Sequence, residues 1–170
     1  TLMNEKVIDL WRKFDNVKIR CSIDDLGDRN HYIRYPTKWN DVEKNIMRLK
    51  KEEFDIDITQ TVSWMNYSTL GDFYTAFNKK YGIFIHHNYV YDPDILSPAV
   101  LPKEMRDNIH KKFDNIFDKW KLNELKKMFS GPDMPEKWEQ AKEYTRNLDE
   151  IRKQDIEDYL IEFKGMITNV

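Results

Sequence analysis

Ser22 and Asp24 stand two residues apart in VKIRCSIDD, residues 17–25, so on an extended chain a hydroxyl and a carboxylate project into the same space. A carboxylate accepts two hydrogen bonds from vicinal hydroxyls and a serine adds a third contact, which suits a sugar-containing ligand. Asp24 and Asp25 diverge on a strand, which argues against a paired-carboxylate acid–base couple. Arg29 and Arg34 follow, and either guanidinium can grip a carboxylate with two parallel bonds. The competing reading makes them surface arginines paired with Asp25 or Asp28. His86-His87, followed by Asn88, invites a metal reading. Adjacent strand residues face opposite ways, however, and no cysteine or carboxylate stands at ligand spacing, so satisfied or partly buried histidines are expected there.

Those residues need strands to hold them. In residues 17–25, Val17, Ile19, Cys21 and Ile23 alternate with Lys18, Arg20, Ser22 and Asp24, the pattern of a strand packed on one side. An amphipathic strand at an exposed sheet edge gives the same alternation. DIDITQTVSW, residues 55–64, predicts a second strand with one polar face, with Gln60 inside the apolar parity. IFIHHNYVY, residues 83–91, predicts a third. Helical spacing of apolar residues predicts helices over 4–14, beyond a cap at Asn40 with Glu43 three residues on, and over 69–80. The polar stretch 25–38 reads as a loop. Strands alternating with helices predict a parallel sheet. After residue 91 the chain becomes proline-punctuated and helical. One helix is expected to start near Leu101-Pro102 and carry Ile109, Phe113, Ile116, Phe117 and Trp120 on its apolar face. From Glu136 onward one broken helix or two packed helices are expected.

At 170 residues, with 40% hydrophobic content, the chain is long enough for a real core. Its 28 basic and 30 acidic residues, net charge -2, give no large field toward nucleic acid or anionic lipid. No GxGxxG, Walker A, HExxH or GxSxG occurs, and no apolar run is long enough to span a membrane. The single cysteine, Cys21, lies on the apolar face of its strand, so an inert thiol is expected and it cannot hold an iron–sulfur cluster. No leader-like apolar stretch follows Thr1, so the expected location is cytoplasmic, with a fragment of a longer product as an alternative.

The segment CSIDDLGDRNHYIRYPTKWNDVEKNI, residues 21–46, resembles the fourth strand and helix of radical S-adenosylmethionine (SAM) enzymes, closest to the branch with SPASM or twitch extensions. QTVSWMNYSTLGDFY, residues 60–74, is similar to their fifth strand and helix. HNYVYDPDILSPAVLPKEMR, residues 87–106, is similar to the sixth strand and the turn out of the barrel. The resemblance implies an α/β fold, a partial (half) TIM-like barrel of about three parallel strands over residues 1–112, with a helical C-terminal extension over 113–170. It implies that Ser22 and Asp24 meet the SAM ribose and that Arg34, or less directly Arg29, meets the SAM carboxylate. Gln60, Ser63 and Asn88 would line the cavity. The family's CxxxCxxC loop and first three strands are lacking. The [4Fe-4S] cluster that cleaves SAM to a 5'-deoxyadenosyl radical would therefore come only from an N-terminal part or a partner. The partners implied are a cluster-bearing N-terminal half or a second copy joined through the open strand edge, and the chain alone is expected to be inactive. The alternative is a non-catalytic α/β interaction or oligomerisation module.

Overall fold

The computed structural model describes residues 3–167. Three parallel strands, β1 (Lys18–Ser22), β2 (Asp55–Val62) and β3 (Phe84–Tyr89), form an open sheet in the order β1-β2-β3. The register pairs Arg20 with Asp57 and Ser22 with Thr59 across β1 and β2, then Thr59 with His86 and Gln60 with His87 across β2 and β3. Paired residues in a sheet share a face. One face therefore carries Ile19, Cys21, Ile56, Ile58 and Ile85. The other carries Lys18, Arg20, Ser22, Asp57, Thr59, Thr61, His86 and Asn88.

The apolar face packs on helices α1 (Glu5–Trp11), α3 (Trp39–Lys51) and α5 (Leu70–Tyr74), the last continuing as a π-helical turn over Thr75–Lys80. Ile8, Ile46, Leu49, Ile58, Phe73 and Phe77 form this core. A second core lies beyond the C-terminal ends of the strands. It gathers the short helix α4 (Trp64–Tyr67), α6 (Lys103–Phe113), α7 (Lys119–Phe129), α8 (Pro135–Arg152) and α9 (Ile156–Tyr159) around Trp64, Phe113, Phe129, Trp138, Leu160 and Phe163. Trp64 meets Trp138 and Phe163 edge-on at 5.2 and 5.1 Å. Tyr32 and Val62 join this cluster from the sheet side, so it draws on residues from both sides of position 112.

Three local expectations change. The stretch 25–38 is not all loop, because Gly27–Ile33 forms helix α2. Its buried residues are Asn30 and Tyr32, polar types that leave no apolar period to read. Helix α3 starts at Trp39 with no side-chain cap, one residue before the expected cap Asn40. Trp39 packs against the sheet-side core, and beginning the helix there carries its indole inward. The helix from residue 103 ends at Phe113, and Asp118 caps a new one by accepting from the Lys121 amide at 2.8 Å. Trp120 therefore sits on α7, 68% exposed, rather than on a shared apolar face.

Candidate functional site

The exit end of β1 is organised around Asp24. Regular pairing continues through Ile23, whose amide donates to the Thr59 carbonyl at 3.1 Å. The next ladder bond would run from the Thr61 amide to the Ile23 carbonyl, but that amide donates to Asp24 Oδ1 at 2.8 Å instead. The carboxylate thus stands in for a backbone carbonyl and turns toward β2. Its other oxygen, Oδ2, accepts from Arg34 Nη1 at 2.8 Å.

Three buried side-chain amides hold this turn. Asn30 Oδ1 accepts from the amides of Asp24 and Asp25 at 3.1 and 3.2 Å. The Asp24 carbonyl accepts from Gln60 Nε2 at 2.9 Å and Asn66 Nδ2 at 2.7 Å. Asn66 also donates to the Thr61 carbonyl and accepts from the Ser63 amide, closing the capping box that starts α4. All three amides are fully buried. Asn30, Asn66 and Thr61 were not singled out by sequence patterns, since a lone asparagine in a polar stretch carries no periodic signal. Serine at 63 followed three residues on by Asn66 is the local trace of this cap.

Asp25 lies deeper, accepting from Thr69 Oγ1 at 2.5 Å and from the Leu26 amide at 2.7 Å. Burial pushes its carboxyl up to about 6. Arg29 stands 3.5 Å from Asp25, donates to the Met65 carbonyl at 2.8 Å, and grips both carboxylate oxygens of Glu162 at 2.8 and 2.7 Å. That guanidinium fastens the C-terminal segment to the turn. Tyr32 does the same, donating to Asp149 Oδ1 at 2.7 Å, while Asp149 Oδ2 caps α9 through the Ile156 amide.

The residues singled out by sequence divide accordingly. Asp24 and Arg34 are together, as an ion pair. Ser22 is exposed two residues away on the uncovered sheet face, while the Asp24 carboxylate turns in toward β2 to accept from the Thr61 amide. Gln60 points to the opposite face, fully buried, with Oε1 at 2.8 Å from His87 Nδ1, so it braces the turn from beneath and cannot touch a ligand above the sheet. Asn88 is exposed on the same face as Ser22, beside Thr61. Ser63 is buried and caps α4. The adjacent histidines point apart. His86 faces Asp57 at 3.2 Å on the polar face, and His87 is held below, where burial pushes it down to about 4 and keeps it neutral near pH 7. Cys21 is half-buried, and burial raises its thiol.

The uncovered face is lined mainly by polar side chains, with the exposed Phe84 beside Asp57 as its apolar member. None of its side chains belongs to either core. Lys18 and Arg20 reach over Asp57 at 3.0 and 3.4 Å, and Lys18 above all holds that carboxyl below its usual range. At the exit end a hollow of about 170 Å³ is bounded by Asp24, Thr61, Ser63, Met65, Tyr144 and Arg152. Pockets that enclose a drug-sized ligand measure about 300–1,000 Å³, so this hollow holds part of such a molecule at most. Among the described residues no group of three or more histidines, cysteines or acids is placed to hold a metal ion, and no helix is long and apolar enough to cross a membrane. Comparison of the chain with family models, curated proteins and solved structures finds no match.

Proposed function

We propose that this chain is the C-terminal portion of a radical SAM-like half barrel and supplies the wall that faces the ribose and carboxylate of SAM. The observation that carries the reading is a parallel sheet with α1, α3 and α5 packed on its apolar face, leaving a polar face whose exit end carries Thr61, Asn88 and the Asp24–Arg34 pair, with Ser22 exposed beside them. Parallel sheets ordinarily bury both faces. Strand exit ends are also where open α/β sheets place ligands.

The donor and acceptor inventory fits such a ligand. The Ser22 and Thr61 hydroxyls and the Asn88 amide make no hydrogen bond to another described residue. A carboxylate offers about four acceptor sites, and Asp24 uses two. Arg34 gives one of its donors to Asp24, leaving others for an incoming carboxylate. A [4Fe-4S] cluster does not fit: the sole cysteine lies on the apolar side of β1. The cluster would belong to another polypeptide segment, and this chain alone would be inactive. A non-catalytic interaction module is the other reading, favoured by the unpaired outer edge of β1.

Calorimetric titration with S-adenosylhomocysteine tests the proposal. Saturable binding that Ser22→Ala and Asp24→Asn each weaken about tenfold is expected, the loss of one or two hydrogen bonds. Absence of heat in the wild-type chain, or binding indifferent to both variants, would refute it.

A further inference from the structure

We propose that the free edge of β1 takes up an extended segment of another polypeptide in which acidic and β-branched apolar residues alternate. In a parallel strand the amide and carbonyl of one residue point to the same side, and successive residues alternate. The Val17 carbonyl and the Ile23 amide bond to β2, at Asp55 and Thr59. Lys18, Arg20 and Ser22 therefore turn their backbone groups outward, and no backbone bond from a described residue reaches them there. Such a row templates the addition of a strand. The outer side of β3 differs, since α7 approaches it with Lys121 Nζ 5.3 Å from the Tyr89 ring.

A groove of about 420 Å³ runs beside the β1 edge, lined by the apolar Ile19, Val42, Ile46 and Leu49 on one side and by Ser22 and Arg34 on the other. The apolar layer is unfinished here. In the row Cys21–Ile58–Ile85, Ile58 and Ile85 are 0% and 7% exposed, while Cys21 and its neighbour Ile19 are only half-buried. An added strand would place every second side chain in this groove, and apolar residues match its apolar side.

The other side chains of that strand would lie on the polar face beside Lys18 and Arg20, which are 56% and 57% exposed. β2 already shows the complement these residues take, with Asp55 opposite Lys18 and Asp57 opposite Arg20. Arg20 meets Asp57 through a single nitrogen at 3.4 Å, so its guanidinium retains donors for a second acid. A second copy of β1 is a poor occupant. Two-fold antiparallel pairing centred on Arg20 sets Arg20 against Arg20 and the register centred on Ile19 sets Lys18 against Arg20, both like-charge pairs, while the register centred on Cys21 sets Arg20 against the neutral Ser22 and leaves it without an acidic complement. The inference rests on this edge alone and is independent of any ligand at Asp24.

The test uses a labelled synthetic peptide of alternating aspartate and valine, with a lysine–valine peptide as control, read by fluorescence anisotropy. The acidic peptide is expected to bind about tenfold more tightly than the basic one, and Arg20→Gln to remove most of that preference. In the wild-type protein, bound acidic peptide should slow amide hydrogen exchange at Arg20 and Ser22, a readout that does not depend on a variant folding. No binding at millimolar peptide, equal binding of both peptides, or unchanged exchange at Arg20 and Ser22 would overturn the proposal. So would a self-paired dimer of the chain that protects the same amides.

Discussion

Asn66→Ala should be among the most costly single substitutions in this fold, although it removes only a small polar side chain. The amide makes three hydrogen bonds, from Nδ2 to the Asp24 and Thr61 carbonyls at 2.7 and 2.9 Å and from the Ser63 amide to Oδ1 at 2.8 Å. Gln60 still serves the Asp24 carbonyl afterwards, but the buried Ser63 amide loses its partner, and so does the part-buried Thr61 carbonyl. One orphaned buried group, one part-buried one and one lost neutral bond cost about 3 kcal/mol, against which alanine returns about 0.5 kcal/mol of helix propensity in α4. At a urea dependence of about 2 kcal/mol/M, a net loss of about 2.5 kcal/mol lowers the unfolding midpoint by roughly 1.2 M. Equilibrium urea unfolding followed by far-ultraviolet circular dichroism measures this directly. Asn88→Ala, the same change on the exposed face of β3, is the control and should stay within about 0.5 kcal/mol of wild type. Equal midpoints for the two variants would refute the assignment of Asn66 as the clamp of the turn.

Further outcomes follow from the same geometry. Arg34→Ala leaves the Asp24 carboxylate, 8% exposed, without its ion partner and should cost about 2 kcal/mol in urea unfolding, more than Asp24→Asn, which keeps the shape of the group and whose partner Arg34, 34% exposed, can reach solvent. Trp120→Ala should change stability by less than about 0.5 kcal/mol, whereas Trp138→Ala, which empties the Trp64 contact in the second core, should cost about 3–5 kcal/mol. Two opposed pairs of groups shape the pH profile, His87 and His110 held down by burial and Asp25 and Asp149 pushed up by it, and within them His87 and Asp25 are the most displaced. His87 is depressed to about 4 in the fold, so the unfolded chain binds its proton first, and stability from this group is complete above about 6.5 and lost as pH falls toward 4. Asp25 is raised to about 6, so the folded chain holds its proton longer, and its contribution falls as pH rises from about 4 to 6. Asp25→Asn removes that contribution, and its urea midpoint should climb steeply between pH 4.5 and 6.5 where that of the wild type is nearly flat. A flat profile in the variant would contradict the burial of His87.

The sheet was legible because alternation in residues 17–25 and 55–64 reports directly on two faces of a strand, and the observed register keeps that parity row by row. Parity also placed Gln60 among the apolar residues, although its role beneath the turn needed the partner His87 to be seen. The site was legible only in part. Asp24 and Arg34 are close in sequence and meet in space, yet the orientation of the carboxylate depends on where the ladder ends, and no residue type encodes that. Asn30 and Asn66 are invisible to periodicity because their burial is polar. The Arg29–Glu162 pair joins residues 133 apart in the chain, a separation across which local patterns carry no information. Trp120 misled because helical spacing continued numerically across the break that Asp118 caps.

The central claim, that the exit end of the uncovered sheet face is a SAM-binding wall, is tested most directly by a nuclear magnetic resonance titration of the ¹⁵N-labelled chain with S-adenosylhomocysteine. The account predicts saturable shifts concentrated at the amides of Ser22, Asp24, Thr61 and Asn88, with the midpoint moved to about tenfold higher ligand in Asp24→Asn. Unchanged spectra at saturating ligand, or shifts gathered away from those four positions, would contradict it.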